Sequence, residues 1–283
     1  MPTLARGATN RTVSVGAQRL RVMVEGEGLG RPLLLINGIG ATGELFGPLR
    51  RHLGDRETIA FDAPGIGGSS TPSMPQSMRA LARTVAAMVD QLGHDTFDVL
   101  GLSWGGALAQ ELTRRHPERV RRLILCATMP GWLSVPGRPL ALSILMSPLR
   151  YYSPDYLRRV APVLYGGAIK DNPGLLAEHA ALRSTRPPTT LGYTYQLMAL
   201  QGWTSLPWLH KLHQPTLILA GDDDPIIPVA NAKIMAGRIP DADLQVLEGA
   251  GHLFAFLKGE EVAGRIGDFL DAPALGNRSG PPM

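Results

Sequence analysis

The chain has 283 residues, 44% hydrophobic and 18% charged, with 28 lysines and arginines against 24 aspartates and glutamates. A mean hydropathy of +0.02 and a formal charge of +4 are those of a globular protein with a packed core, which excludes disordered, fibrous and low-complexity chains. The pI near 9.5 arises from a small basic excess spread along the sequence, so no basic run marks a nucleic-acid partner.

The opening sequence, MPTLARGATNRTVSVG, carries basic residues but no apolar stretch of the ~7–15 residues a secretory signal needs, so a cytoplasmic location is expected. Strand-like runs follow at TVSVG and RLRVMVE, then at PLLLIN, ETIAFD, FDVLGL, RRLILCA, PTLILAG and DLQVLEG. The first two, joined through residues 16–19, predict an antiparallel hairpin on one sheet edge. From PLLLIN onward helical segments separate most of the runs. The clearest covers 76–92, where Met78, Leu81, Ala82, Val85, Met88, Val89 and Leu92 recur three and four apart. Buried strands alternating with amphipathic helices predict an α/β protein with a mostly parallel, eight-stranded sheet flanked by helices.

The alternation stops between about 129 and 209, where proline, leucine, tyrosine and arginine build short helical segments, and resumes at PTLILAG. This predicts a helical cap over 132–208, inserted between core segments 1–131 and 209–271. The most apolar stretch, 139–152, is broken by Pro148 and Arg150 well short of the ~20 residues that cross a bilayer, so no transmembrane helix is expected. Residues 272–283, APALGNRSGPPM, read as a disordered tail. The single cysteine, Cys126, can form neither an internal disulfide nor a CxxC metal site, so stability must come from packing.

Chemistry concentrates in FDVLGLSWGGALAQELTRRH, where an apolar strand runs through Gly101-Leu102-Ser103-Trp104-Gly105 directly into a helix. This is the GxSxG nucleophile elbow in its required context. A glycine-rich turn with an incidental serine would share the five residues; the strand before and the helix after single out Ser103. Glycines at 101 and 105 avoid a collision across a cramped strand-to-helix turn, and the unpaired amide of Trp104 at the helix start is a candidate oxyanion donor.

A serine hydroxyl is a weak nucleophile at pH 7 and needs a base and a group that orients the base. In this topology an acid and then a histidine follow later strands. Asp222-Asp223-Asp224-Pro225 follows PTLILAG, and Ala250-Gly251-His252 follows DLQVLEG. Asp224, three residues after Gly221 and held by Pro225, is the expected acid, with its neighbours as solvated turn residues, and His252 is the expected base. The histidines at 52, 94, 116, 210 and 213 lie away from strand ends, and His179 lies inside the cap. No acid follows RRLILCATM, which removes the usual rival position. The turn Asn37-Gly38-Ile39-Gly40-Ala41 stands where a second oxyanion donor belongs, and the backbone amide of Ile39 is assigned to it. The turn 62–70 reads as structural. His210 and His213 lack further ligands for a metal, and no phosphate-binding glycine motif follows a strand, so neither metal nor cofactor is expected.

At these residues the chain resembles the α/β-hydrolase superfamily and, within it, the intracellular medium-chain-length poly(3-hydroxyalkanoate) depolymerases. The serine elbow, the GDDDP turn and the GH pair carry the superfamily likeness. The narrower one rests on NGIGA at 37–41, GLSWGGALAQ at 101–110, APVLYGG at 161–167 and GWTSLPWLHKLHQPTLILAGDDDPIIP at 202–228. Asn37 departs from the histidine common in the superfamily but agrees with the narrower family. The resemblance implies an α/β-hydrolase fold and cleavage of an aliphatic polyester through an acyl-enzyme on Ser103, without metal or cofactor. Cap residues Trp132, Leu140, Leu142, Ile144, Leu145, Met146, Trp203 and Trp208 suit acyl side chains or a polyester granule surface, though a small cap also needs a core of its own. The same triad on small soluble esters or lactones, a cofactor-free haloperoxidase and a carbon–carbon bond hydrolase stay open, as does a non-catalytic granule-binding protein. Dehalogenases and epoxide hydrolases would need Asp at 103, and polyester synthases Cys.

Overall fold

The computed structural model describes residues 9–273, so the expected tail falls outside the described residues from 274 onward. Each of the eight apolar runs forms a strand: β1 (Thr9–Val15), β2 (Gln18–Glu25), β3 (Leu33–Ile36), β4 (Thr58–Phe61), β5 (Phe97–Leu102), β6 (Val120–Cys126), β7 (Thr216–Gly221) and β8 (Ala242–Leu247). They make one sheet in the order β1-β2-β4-β3-β5-β6-β7-β8. The β1–β2 hairpin turns more tightly than the 16–19 link suggested: Val15 faces Gln18, and Gly16 takes the φ of +57° that a two-residue hairpin turn demands. β2 also pairs antiparallel with β4, and every pairing from β4 to β8 is parallel. The chain leaves β3 toward β4 on one side and returns as β5 on the other, which opens a crevice at the carboxyl ends of β3 and β5.

Helices outside the insertion are α1 (Gly47–Arg50), α2 (Met78–Gln91) and α3 (Trp104–Arg115). Five more, α4 (Pro139–Leu145), α5 (Leu149–Tyr152), α6 (Pro154–Tyr165), α7 (Ala177–Thr185) and α8 (Thr190–Leu200), lie between β6 and β7. After β7 come α9 (Val229–Ala236), α10 (Phe254–Leu257) and α11 (Gly259–Asp271). α2 is the helix expected over 76–92, trimmed at its start because the Ser77 hydroxyl accepts from the Ala80 amide and caps it. Side chains of β3 alternate between faces. Leu34 and Ile36 join a core shared with α2, α3 and α9, whereas Leu33 and Leu35 join one shared with α1, α10 and α11.

The insertion between β6 and β7, where a cap is expected, carries α4 to α8 and a packed cluster of its own. Ala141, Leu157, Ala161, Leu164, Tyr165, Ile169 and Leu176 pack with Ile226, Ile227 and Leu253, which belong to the loops after β7 and β8. The apolar cap residues singled out in the sequence divide accordingly. Trp208 is buried beneath the Arg114 guanidinium and Trp203 donates its indole N–H to Glu111 at 3.0 Å, so both hold the cap to α3. Trp132, Leu140 and Met146 each stay more than half exposed.

Candidate active site

β5 ends at Leu102 and α3 begins at Trp104, so Ser103 makes the whole turn with φ 54° and ψ −117°. A non-glycine residue in such a region costs about 1–3 kcal/mol and persists only where its surroundings hold it. Here the Ser103 amide donates to the Cys126 carbonyl at 2.9 Å, and the Ser103 carbonyl accepts from the Gly106 amide at 2.9 Å and the Thr128 hydroxyl at 2.6 Å. A Cβ on Gly101 would sit 2.5 Å from the Gly105 carbonyl oxygen, and one on Gly105 only 2.1 Å from that of Ile36. Close approach is therefore why both positions are glycine. Gly106 obeys the same rule against Thr128, a constraint the five-residue motif does not contain.

The loops after β7 and β8 bring two more side chains to Ser103. His252 Nε2 lies 3.1 Å from Ser103 Oγ, and His252 Nδ1 lies 2.6 Å from Asp224 Oδ2. Asp224 Oδ1 accepts from the amides of Ile226 and Ile227 at 2.8 and 2.9 Å, which leaves Oδ2 to receive the proton on Nδ1. Nε2 is then free to accept from the serine hydroxyl. The His252 amide donates to the Tyr165 carbonyl at 2.8 Å, so the end of α6 fixes the histidine backbone. The three consecutive aspartates have separate surroundings. Asp222 is exposed, Asp224 faces His252, and Asp223 turns to the cap, where it accepts from the Gly167 amide at 2.8 Å and from the Lys170 ammonium. The Lys170 hydrogen bond holds the Asp223 carboxyl below the usual aspartate range. Asp223 is thus a tie to the cap rather than the solvated turn residue expected.

The turn after β3 lies across the crevice from the elbow, with Gly38 so close that a Cβ on it would stand 3.4 Å from that of Ser103. Asn37 closes this turn from both ends, donating to the Thr42 carbonyl at 2.7 Å and accepting from the Gly38 amide at 2.8 Å. Gln196 on α8 joins it to the elbow: its side chain accepts from the Gly40 amide at 2.7 Å and its carbonyl from the Trp104 indole at 2.8 Å. Among the described residues the amides of Ile39 and Trp104 have no hydrogen-bond acceptor. Asp62 is fully buried, takes amide hydrogen bonds from Gly43 and Gly68, and pairs with Arg21 at 3.1 Å, so the 62–70 turn is structural. His210 and His213 are exposed.

Ser103 and His252 border a small recess, partly open to solvent and walled by Ile39, Leu45, Phe46, Leu145, Ile226, Leu253 and Phe256. Three polar cap residues also line it, Arg150, His179 and Arg183, all buried. Burial, with Arg183 and Arg150 adding to it, pushes His179 far below the ordinary histidine range, so its ring is neutral. The sequence shows Arg150 only as an interruption of an apolar run and His179 only as a cap histidine; their convergence depends on contacts between α5 and α7 that no local pattern encodes.

A family model described as "Alpha/beta hydrolase family" matches residues 33–265. A poly(3-hydroxyalkanoate) depolymerase of Ectopseudomonas oleovorans is 47% identical over 262 residues, covering 92% of each chain. A pimeloyl-[acyl-carrier protein] methyl ester esterase of Aromatoleum aromaticum is 29% identical, over 79% of this chain and 92% of its own. The crystal structure of the enol-lactonase from Burkholderia xenovorans LB400 superimposes with a TM-score of 0.79 at 22% identity, covering 93% of this chain and all of that one, a likeness of fold alone.

Proposed function

The chain belongs to the alpha/beta hydrolase family, and from that premise we propose that it cleaves the ester bonds of medium-chain-length poly(3-hydroxyalkanoate) through an acyl-enzyme on Ser103. The observation that carries the chemistry is the hydrogen-bonded series from Asp224 through His252 to Ser103, with spacings of 2.6 and 3.1 Å, at the mouth of a largely apolar recess. His252 Nε2 takes the hydroxyl proton as Oγ attacks the ester carbonyl, and Asp224 stabilises the imidazolium that forms. The amides of Ile39 and Trp104 receive the oxyanion, a type of contact worth about 2.7–4 kcal/mol per donor in acyl-transfer enzymes. His252 then protonates the leaving alkoxide, and water, activated by the same imidazole, releases the acid.

The polyester as substrate rests on the likeness to the Ectopseudomonas oleovorans depolymerase, which runs through the cap as well as the core. Trp132, Leu133, Leu140 and Met146 are exposed on the cap, apolar surface that suits attachment to a polyester granule. Acid release from an emulsion of the medium-chain-length polymer, with a short soluble ester as reference, tests this function. The wild type is expected to degrade the polymer and Ser103→Ala to lose both activities. Turnover of the soluble ester alone would retire the polymer and point to a small-ester or lactone hydrolase.

A further inference from the structure

Two arginines in the recess have no anionic partner. Arg150 and Arg183 are 3% and 7% exposed, and among the described residues no carboxylate lies within ion-pair distance of either. Arg50, similarly buried, is matched by Glu25 at 3.1 Å. Arg150 donates to the Ser147 carbonyl at 2.9 Å and lies against Tyr193, and Arg183 donates to the Tyr165 hydroxyl at 2.7 Å. Among the described residues the Nε of each is buried without a partner. Both guanidiniums lie against Tyr151, 4.9 and 4.3 Å from its ring centroid, so two cations share one aromatic ring. The neighbouring His179 is neutral and contributes no negative charge.

Tyrosine faces attract cations, but they do not neutralise two of them in the desolvated wall of one recess. An anion entering that recess would balance their charge and take up unused N–H groups. A planar carboxylate matches guanidinium geometry best. On the reading that Ser103 cleaves polyesters, we infer that Arg150 and Arg183 form a subsite for the free carboxylate at the acid end of a poly(3-hydroxyalkanoate) chain, or of the hydroxy acid released from it.

The subsite belongs to the leaving-group side, because the acyl side of such a chain ends in a hydroxyl. The Ser103 Oγ–carbonyl carbon bond forms and the ester carbon–oxygen bond breaks. The serine proton passes through His252 to the departing alkoxide, which leaves as a 3-hydroxyalkanoate with its carboxylate still on the arginines. Water then adds to the acyl-enzyme and frees the shortened chain, restoring Ser103.

The test compares the 3-hydroxyoctanoate dimer bearing a free carboxylate with the same dimer ended as a primary amide. The wild type is expected to show kcat/KM at least tenfold higher for the acid. Arg183→Lys should keep part of that preference and Arg183→Gln should bring the ratio to about one. Because the ratio is internal to each variant, it does not depend on how much protein folds. Equal cleavage of both dimers overturns the subsite and leaves the esterase reading standing. If no ester at all is cleaved, the esterase reading falls, and calorimetric binding to Ser103→Ala decides the subsite. There, tighter binding of 3-hydroxyoctanoate than of 3-hydroxyoctanamide, by tenfold or more, supports it; equal or absent binding overturns it.

Discussion

Asp224 accepts three hydrogen bonds, two from backbone amides on Oδ1 and one from His252 on Oδ2, and this division fixes the imidazole tautomer. Asp224→Asn keeps the shape. Its Oδ1 still serves the amides of Ile226 and Ile227, but the new NH2 donates to Nδ1 and moves the imidazole proton to Nε2. The histidine can then no longer accept from Ser103, and kcat on a soluble ester is expected to fall by about 10³–10⁴ with little change in thermal midpoint. Asn37 acts at one remove. Its two ties hold the 37–42 turn closed beside Ser103, so Asn37→Ala should let the Ile39 amide drift. A displacement near 1 Å is worth about 10²-fold in rate, and the loss should appear in kcat rather than in KM, measured on the same ester.

Glycine substitutions separate elements that need closeness from elements that merely contain a glycine. Gly105→Ala would drive a methyl group to 2.1 Å from the Ile36 carbonyl oxygen, on backbone that β3 and β5 hold rigidly. The elbow cannot open without parting those strands, so the variant is expected to lose activity and most of its soluble yield. Gly264 lies in α11 with open space around the position a Cβ would take, and Gly264→Ala should stabilise the fold by about 0.5–1 kcal/mol in urea denaturation, because it removes only unfolded-state freedom. The contrast also marks what was legible in the sequence. Strands, α2 and the elbow are written in local periodicity and turn chemistry, and the expectation for Asp224 and His252 rests on residues that follow strand ends in a fixed order. The tie from Asp223 to the cap, the clamp made by Gln196 and the pairing of Arg150 with Arg183 join residues tens of positions apart within or through the cap. Those helices share no repeat or register with the sheet, so nothing in their local pattern announces what they will touch.

At the scale of the whole molecule the cap and the core share one packed cluster rather than meeting at a hinge. Ile226, Ile227 and Leu253, close in sequence to Asp224 and His252, lie in the cap's own core, and the Tyr151 hydroxyl donates to the Ile39 carbonyl at 2.5 Å. A disturbance of the cap therefore reaches the loops that carry Asp224 and His252. The Asp223 tie to Lys170 and the Gly167 amide is one such link, and it carries a titratable group. Its carboxyl is held below the ordinary aspartate value near 3.9, chiefly by Lys170, so it binds a proton more weakly folded than unfolded. The link thus contributes fully above the unfolded value and is lost as pH falls through the lowered folded one. Denaturation of wild type and Asp223→Asn at pH 6 should show a gap of up to about 1 kcal/mol, as expected for a partly exposed pair, and the gap should narrow as pH falls below the unfolded value. A gap that does not change with pH would mean that Asp223 acts through shape rather than charge. In Lys170→Ala the pH 6 gap should shrink, because the group that lowers the aspartate is gone, while the Gly167 amide keeps a remnant of it.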